Sequence, residues 1–485
     1  MRAGCRTRRF IHGWGACMTT FETTRAIRAS DRRLPHPPRR LRVLGDVLDL
    51  HVTESSQWGM RDAQKYGSIF ERNVVGTRVT YVSGPTEVAA VNDEKTWAKF
   101  LGVPLRNLRS VAGDGLFTAH NSEPSWAAAH AILAPAFTQS SMRGYHDAMV
   151  AKTTRLLAYW DGLGADAWVD VPADTNKLAL EIIGDVAFGH DFASFDTSEP
   201  HELIARTSRA LRYINRAAYS HPLVEAIVFR RQRDQHEADV VAVRRIVDDI
   251  VAARRGSRDG GSDLLGLMLD TVDPATGQGL SDENIRNQIL TFLVAGQETS
   301  AGVMAFALHF LSLHPQVAER VRAEVELIRP EGELRFEDVG KLRYLRRVVD
   351  ETLRLWPVAP GYFRKARQDT RVGQHPFEKG EWVFVVLLQL HRDAGWGNDP
   401  EAFDPDRFER SRVPANLADL YKPFGTGMRA CIGRQFAYHE IVVALAMIVQ
   451  QRTLVPEPGY VLRVEETITL KPRDLRLQVG RHAPF

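Results

Sequence analysis

One cysteine holds most of the chemistry this chain could perform. Cys431 stands in the run Phe424-Gly-Thr-Gly-Met-Arg-Ala-Cys-Ile-Gly433, and the other two cysteines, Cys5 and Cys17, fall in an N-terminal arm. The body of the chain therefore has no partner for an internal disulfide. That fits a reducing compartment and leaves one thiol free as nucleophile or metal ligand. Phe424, Gly425, Cys431 and Gly433 at this spacing would arise by chance in roughly one chain in a thousand. Two plainer readings compete. An isolated free cysteine is commonly a small buried hydrophobe, but that role asks for no flanking glycines. Gly425-x-Gly427-x-x-Ala430 imitates a dinucleotide fingerprint, yet Lys422-Pro423 precedes it instead of a strand, and no acidic residue follows about twenty positions on.

Three smaller constellations accompany the cysteine. Ala295-Gly296-Gln297-Glu298-Thr299 lies in the middle of a helical pattern. A glycine there costs about 1 kcal/mol relative to alanine, so it marks a packing or functional need. Glu351 and Arg354 place opposite charges at i, i+3, usually a solvated pair worth a few tenths of a kcal/mol; here Leu353, Leu355 and Trp356 surround them. Trp126 and His130 share a helix face at i, i+4.

Taken together, these residues resemble the cytochrome P450 family over about Pro35 to Pro472. The resemblance implies that Cys431 is the axial thiolate of a haem b, a strong donor that favours O–O cleavage. Gly425 and Gly433 would let backbone N–H groups approach the sulfur, Phe424 would pack beside it, and Arg429 would pair with a haem propionate. Ala295 and Gly296 would let the helix pass close over the haem, while Glu298 and Thr299 would hold and relay the protons of oxygen activation. Glu351, Arg354 and Arg407, the last from Phe403-Asp-Pro-Asp-Arg407-Phe408, would form a buried support for the cysteine loop. Trp126 and His130 would sit on the propionate-binding helix, where arginine is commoner than histidine.

Within the family, the chain is similar to the haem domain of bacterial fused fatty-acid hydroxylases. Runs such as Gly113-Asp-Gly-Leu-Phe117-Thr, Leu353-Arg-Leu-Trp-Pro357 and Glu466-Thr-Ile-Thr-Leu-Lys-Pro472 carry this likeness. It implies an apolar substrate pocket lined by Phe117, Ala359 and Ile468, with Tyr81 at its mouth. Thr77 stands where those enzymes carry a carboxylate-binding arginine. Arg78 is adjacent, but one step along a strand faces the other side.

The elements that must position these residues read as mainly α with small β-sheets, the cytochrome P450 fold with a long central helix over the haem. Ser281-Asp-Glu supplies a cap and an acidic first turn, and helical text runs to His314 before Pro315. Helical patterns dominate Ser125 to Leu355. Leu41 to Leu50 reads as a turn into a helix, Ile69 to Val82 as hairpin strands, and Phe377 to Leu390 and Val461 to Val479 as further strands. Arg254 to Ser262 reads as a surface loop. Residues 1–34 form a basic arm and 35–485 one monooxygenase domain.

Composition sets outer bounds. Hydrophobic residues make up 44% and charged residues 25%, ordinary for a globular chain with a substantial core. Residues 1–42 hold eleven Arg against Glu22 and Asp31, a charge of +9, so the net +3 leaves −6 for the rest. A basic arm on a mildly acidic body is not a nucleic-acid-binding face. No apolar run approaches the roughly 18 residues of a membrane span, so no transmembrane anchor is expected. The arm weakly matches a mitochondrial transit peptide, against a cytoplasmic reading with Met18 as an alternative start. The expected activity is insertion of one atom of O2 into a C–H bond of an apolar substrate such as a fatty acid, by a monomer. Only 54 residues follow Cys431, so NAD(P)H electrons are expected through a separate donor of ferredoxin or flavodoxin type. Lys422, Arg429 and Arg434 would face that donor. Rival readings are a tailoring hydroxylase or epoxidase of terpenoids or polyketides, a haem sensor without turnover, and a nicotinamide dehydrogenase.

Overall fold

The computed structural model describes residues 34–482 apart from 43, 50–52, 75, 165, 219–227 and 257–262. The basic arm up to residue 33 thus lies outside the described residues, as does 257–262 of the expected loop. The arm's last residue, Leu34, is buried.

A five-stranded sheet occupies one end. Its strands β1 (Ile69–Val74), β2 (Thr77–Val82), β3 (Trp97–Phe100), β4 (Gly361–Ala366) and β5 (Trp382–Val386) run in the order β1-β2-β5-β4-β3. The β2–β5 pair is parallel, pairing Tyr81 with Phe384, and the others are antiparallel. A separate hairpin, β6 (Arg463–Glu466) and β7 (Leu470–Arg473), carries Thr467, Ile468 and Thr469 at its turn.

Helices form the rest of the frame: α1 (Ser55–Tyr66), α2 (Val103–Ala112), α3 (Pro124–Leu133), α4 (Gln139–Leu163), α5 (Val171–Phe188), α6 (Glu202–Ala218), α7 (Arg230–Gly256), α8 (Asp282–Leu313), α9 (Pro315–Ile328), α10 (Arg343–Leu355) and α11 (Arg434–Gln451). The axis of the molecule is α8. Its amide at Asn284 donates to the Ser281 hydroxyl (3.2 Å), Asp282 and Glu283 sit at the positive end of the dipole, and Pro315 opens α9 just beyond. At 32 residues it is about 48 Å long. By length and composition it could cross a membrane, but it is largely buried inside the protein. From Asn287 to Ser312, every residue is buried except Val294, Ala295, Gly296 and Thr299. One stretch of a core helix therefore faces open space.

Two polar devices hold the frame around that stretch. The Glu466 carboxylate caps α1 from the far end of the chain, accepting from Ser55 Oγ (3.0 Å), the Ser56 amide (2.7 Å) and the Gln57 amide (3.3 Å). Glu54, the residue at the cap position, makes no such bond. This ties the β6–β7 hairpin to the N-terminal region. Glu351 and Arg354 on α10 are fully buried and paired at 2.7 and 2.8 Å. The remaining Arg354 donors reach the carbonyls of His391, Pro400 and Ala402, while the Glu351 carboxylate also accepts from the Asp404 amide (2.9 Å) and lies 3.4 Å from Arg407 Nε. Burial pushes the Glu351 carboxyl upward and Arg354 pulls it back. With every group satisfied, the pair organises the segment before the cysteine loop; breaking one partner would cost about 3–5 kcal/mol.

Three local expectations need correction. Among the described residues, Leu41 to Leu50 holds a bridge between Leu41 and Gly45 and a 3-10 turn at Val47–Asp49, and the first α-helix starts at Ser55. Leu387–Leu390 forms a helical turn after β5, not the end of a strand; a short apolar run cannot by itself separate the two states. Arg254 to Gly256 belong to α7, where Arg254 pairs with Asp263 at 2.5 Å.

Candidate active site

The cysteine loop is closed by its own backbone. The Cys431 amide donates to the Phe424 carbonyl (2.9 Å), Gly425 to Lys422 (3.0 Å) and Ala430 to Gly427 (3.1 Å). Gly425 and Gly427 both have φ +69°, which favours glycine, and a Cβ on Gly427 would collide with the Glu94 carboxylate that holds the Met428 amide. Below the loop, the Lys422 amide donates to His391 Nε2 (3.0 Å), joining it to the segment that Arg354 grips.

Cys431 has accessible surface, yet dense protein around it pushes its thiol pKa up, against the Gly433 amide and Arg434, which pull it down. Both facts hold together because the thiol lines an enclosed cleft. From Gly433 an added Cβ would lie 3.9 Å from both Cys431 Sγ and Phe137, and Phe137 stacks on Phe292 of α8 (5.6 Å). Val294, Ala295, Gly296 and Thr299 follow on the same helix. The thiol and the open stretch of α8 are thus two walls joined through a phenylalanine pair.

A cationic rim completes the cleft. Arg429 donates to the carbonyls of Ala119 (2.8 Å) and Leu116 (3.2 Å) and to Asn121 (3.1 Å), and its guanidinium lies over Trp126, which stacks on His130. The amide of Leu116 in turn donates to Gln288 of α8 (2.9 Å), tying rim to helix. Lys99 on β3 donates to the Phe117 carbonyl and sits over its ring. Desolvation lowers the pKa of Lys99, Arg429 and His130, Arg429 to about 10, and the charge of Arg429 adds to the effect on Lys99 and His130. Desolvated like charges at one edge of a cleft make a site for an anion. A soft thiol on one wall, small residues on the other and desolvated cations at the edge fit the iron, ring and propionates of a haem. Sequence reasoning missed Lys99. The signal was its strand face, shared with the fully buried Trp97.

Glu298 and Thr299, expected to handle protons, point two ways. The Thr299 hydroxyl donates back to the Ala295 carbonyl (2.5 Å) and faces the cleft. Glu298 is buried and turned toward the β6–β7 hairpin, accepting from Thr469 Oγ (2.7 Å), with Lys471 Nζ 3.6 Å from its other oxygen. Lys471 is also 3.6 Å from Glu465, which is 3.7 Å from Arg212 of α6. Side-chain exposure falls along this row, 52% at Arg212, 29% at Glu465, 14% at Lys471 and 6% at Glu298. A cavity of about 950 Å³ reaches Arg212, Glu465, Lys471 and Asn176 from outside.

Of the pocket residues, Phe117 and Ala359 are exposed beside buried neighbours. Ile468 packs against the cluster of Leu108, Val111, Leu211 and Ile214 of α2 and α6, which Val294 also meets. Tyr81 is stacked flat on Phe70 (4.8 Å) with its edge to Phe384 (5.9 Å), inside the sheet packing. Thr77 is exposed, and Arg78 lies 3.5 Å from Glu71. Of the three cations expected to face a donor, Lys422 is buried with its ammonium on the Ala418 carbonyl, and Arg429 belongs to the rim; only Arg434 is exposed.

Comparison with known proteins agrees with this geometry. The family model described as Cytochrome P450 matches residues 35–479. The chain is 40% identical over 447 residues to a bifunctional cytochrome P450/NADPH–P450 reductase of Bacillus cereus, and 38% identical over 446 residues to reductase 2 of that name in Bacillus subtilis. Each match covers 91% of this chain and 42% of the relative, so the chain spans less than half the length of these curated relatives. The crystal structure of a cytochrome P450, CYP102L1, superposes with a TM-score of 0.85 at 45% identity, covering 93% of this chain and 99% of that one. A family match over most of the chain, with a cysteine loop, core helix and cationic rim that fit one prosthetic group, leads to one conclusion: the chain belongs to the cytochrome P450 family.

Proposed function

We propose that this chain is a haem-thiolate monooxygenase that hydroxylates an apolar, lipid-like substrate. The observation that carries the reading is an accessible free thiol, Cys431, linked through Phe137 and Phe292 to the helix whose Val294, Ala295, Gly296 and Thr299 are not buried. Haem bound there supplies the reductive activation of dioxygen; the chain's own residues do the rest. Cys431 holds the iron, Arg429, Lys99, Trp126 and His130 hold the propionate edge, and Phe424 packs against the thiolate loop. Thr299 presents hydroxyl lone pairs to the cleft while its proton rests on Ala295. Glu298 receives protons from the outer cavity by way of Glu465 and Lys471, with Arg212 only an electrostatic neighbour of Glu465 at the entrance, and passes them toward Thr299 by swinging from Thr469.

Phe117, Ala359 and Ile468 line the substrate side. Each buried methylene contributes about 0.8 kcal/mol, enough for a long chain to bind without a charged anchor. On the β1–β2 hairpin Thr77 is neutral and Arg78 lies 3.5 Å from Glu71, so a carboxylate is not needed for binding on this reading. Electrons come from NAD(P)H. The relatives' names place an NADPH–P450 reductase in the same polypeptide as their P450, and a ferredoxin or flavodoxin is the other kind of donor; reconstitution with a reductase, a ferredoxin and a flavodoxin in turn separates these sources.

The decisive measurement is the reduced carbon monoxide spectrum. Wild type gives a thiolate-type band and Cys431→Ser loses it; retention of that band in the variant would remove Cys431 from the metal. For the substrate, spectral titration with a fatty acid and its methyl ester should give affinities within about tenfold, or 1.4 kcal/mol. A far tighter acid would mean a carboxylate anchor, and failure of both would favour a bulkier natural product.

A further inference from the structure

The face of the cysteine loop opposite the cleft is held by a tyrosine that neither the proton path nor the substrate pocket uses. Tyr438 on α11 is 3% exposed, and its ring packs on Phe424 with centroids 5.0 Å apart. Its hydroxyl donates to Asp350 Oδ1 (2.6 Å), the same oxygen that accepts from Tyr421 (3.0 Å). The other oxygen of Asp350 takes Arg346 (3.2 Å), whose guanidinium lies over the Tyr438 ring. One carboxylate, one neighbouring hydroxyl and one stacked cation therefore determine where this ring sits.

The ring in turn places a charge. Arg434, the first residue of α11, has its guanidinium 5.7 Å from the Phe424 centroid and 5.9 Å from that of Tyr438. No carboxylate pairs with it among the described residues, so the two aromatic faces are what keep this exposed cation against the loop. Two residues separate it from Cys431, and its charge acts on the thiol. A cation fixed near a thiolate draws density from it and favours the more reduced, more negative state of an iron bound to it. If Arg434 swung into water, solvent would screen the same charge.

On the reading of Cys431 as the iron ligand, we propose that Tyr438 is a positioning residue: by holding Arg434 against the loop beside Phe424 it sets the donor strength of the thiolate and the reduction potential of the bound haem iron. The reduction itself is the one-electron step the donor already supplies; only its equilibrium changes.

A reductive titration of the holoenzyme tests this. In Arg434→Gln and in Tyr438→Leu the constant for one-electron reduction should fall three- to tenfold, tenfold being about 59 mV for one electron. Tyr438→Phe keeps the ring and should move it less than twofold. In the Arg434→Gln background, Tyr438→Leu should add little, because its route runs through that charge. An unchanged potential in Tyr438→Leu overturns the proposal, as does an equal shift with and without Arg434, which would mark a structural role. If Tyr438→Leu does not load haem, Tyr438→Met, which also removes the ring but fills more of its space, takes its place in the same cycle. A wild type lacking the thiolate carbonyl band would sink the ligand assignment instead, so the two failures are distinguishable.

Discussion

Thr299 shows how little freedom a single side chain has at this site. Its hydroxyl hydrogen is taken by the Ala295 carbonyl one turn back, so on the proposed function it would meet the cleft as an acceptor and hand on a proton only when another arrives. Thr299→Ala should therefore still load haem and bind substrate but divert much of its reducing equivalents to hydrogen peroxide, measured as the ratio of product to NAD(P)H consumed. An unchanged ratio would take Thr299 out of the proton path. The type and spacing of Glu298 and Thr299 were readable from the chain; the direction of Glu298 was not. Its partners, Thr469 and Lys471, lie more than 170 residues away, and nothing in a helical pattern shows which strand will pass beside it.

At the level of elements, the β6–β7 hairpin has the widest influence. It caps α1 through Glu466, braces Glu298 through Thr469 and Lys471, and offers Ile468 to the apolar cluster beside Val294. The Leu470 amide also donates to the Val358 carbonyl (2.8 Å), which fixes the position of Ala359 next to it. Glu466→Ala leaves buried amides of α1 without an acceptor, a cost of about 1–3 kcal/mol. The expected outcome is a lower thermal midpoint together with weaker binding of a long-chain substrate, since the turn carrying Ile468 loosens. A lower midpoint with unchanged substrate affinity would confine the hairpin to stability. The same element explains a difference between expectation and fold: strand-like text at both ends of the chain was legible, but their joining by a cap was not, because Glu466 reads locally as an ordinary strand carboxylate.

For the whole molecule, packing of α8 against α11 encloses a carboxyl group. Glu440 is fully buried; Ser300 approaches it, yet neither oxygen completes a hydrogen bond of ordinary geometry among the described residues. Burial pushes its pKa up to about 8 from 4.5. The folded state thus keeps a proton that the unfolded chain releases, so this group's penalty is absent below the unfolded pKa and grows as pH rises from about 4.5 to about 8. Stability should decline across that window, by a few kcal/mol at most. Glu440→Gln should flatten the decline, seen as thermal midpoints of the two holoproteins that draw apart as pH rises, with the variant higher at pH 8. Parallel curves would mean that Glu440 is not the group responsible.

What the chain's text determined by itself was local: a free thiol in a glycine loop, a capped helix of 32 residues with a small-residue step in its middle, and a charge pair among apolar neighbours. Each of these depends on residues close in sequence, where backbone periodicity and turn chemistry act directly. Only the tertiary structure decided that Lys99 joins Arg429 at the rim, that Arg78 is taken by Glu71, that Lys422 is buried, and that Tyr438 stands behind Phe424. These outcomes depend on which elements pack together and on what each charge meets there. Burial changes the energy of a charge by more than any local preference does, and burial is a property of the folded whole.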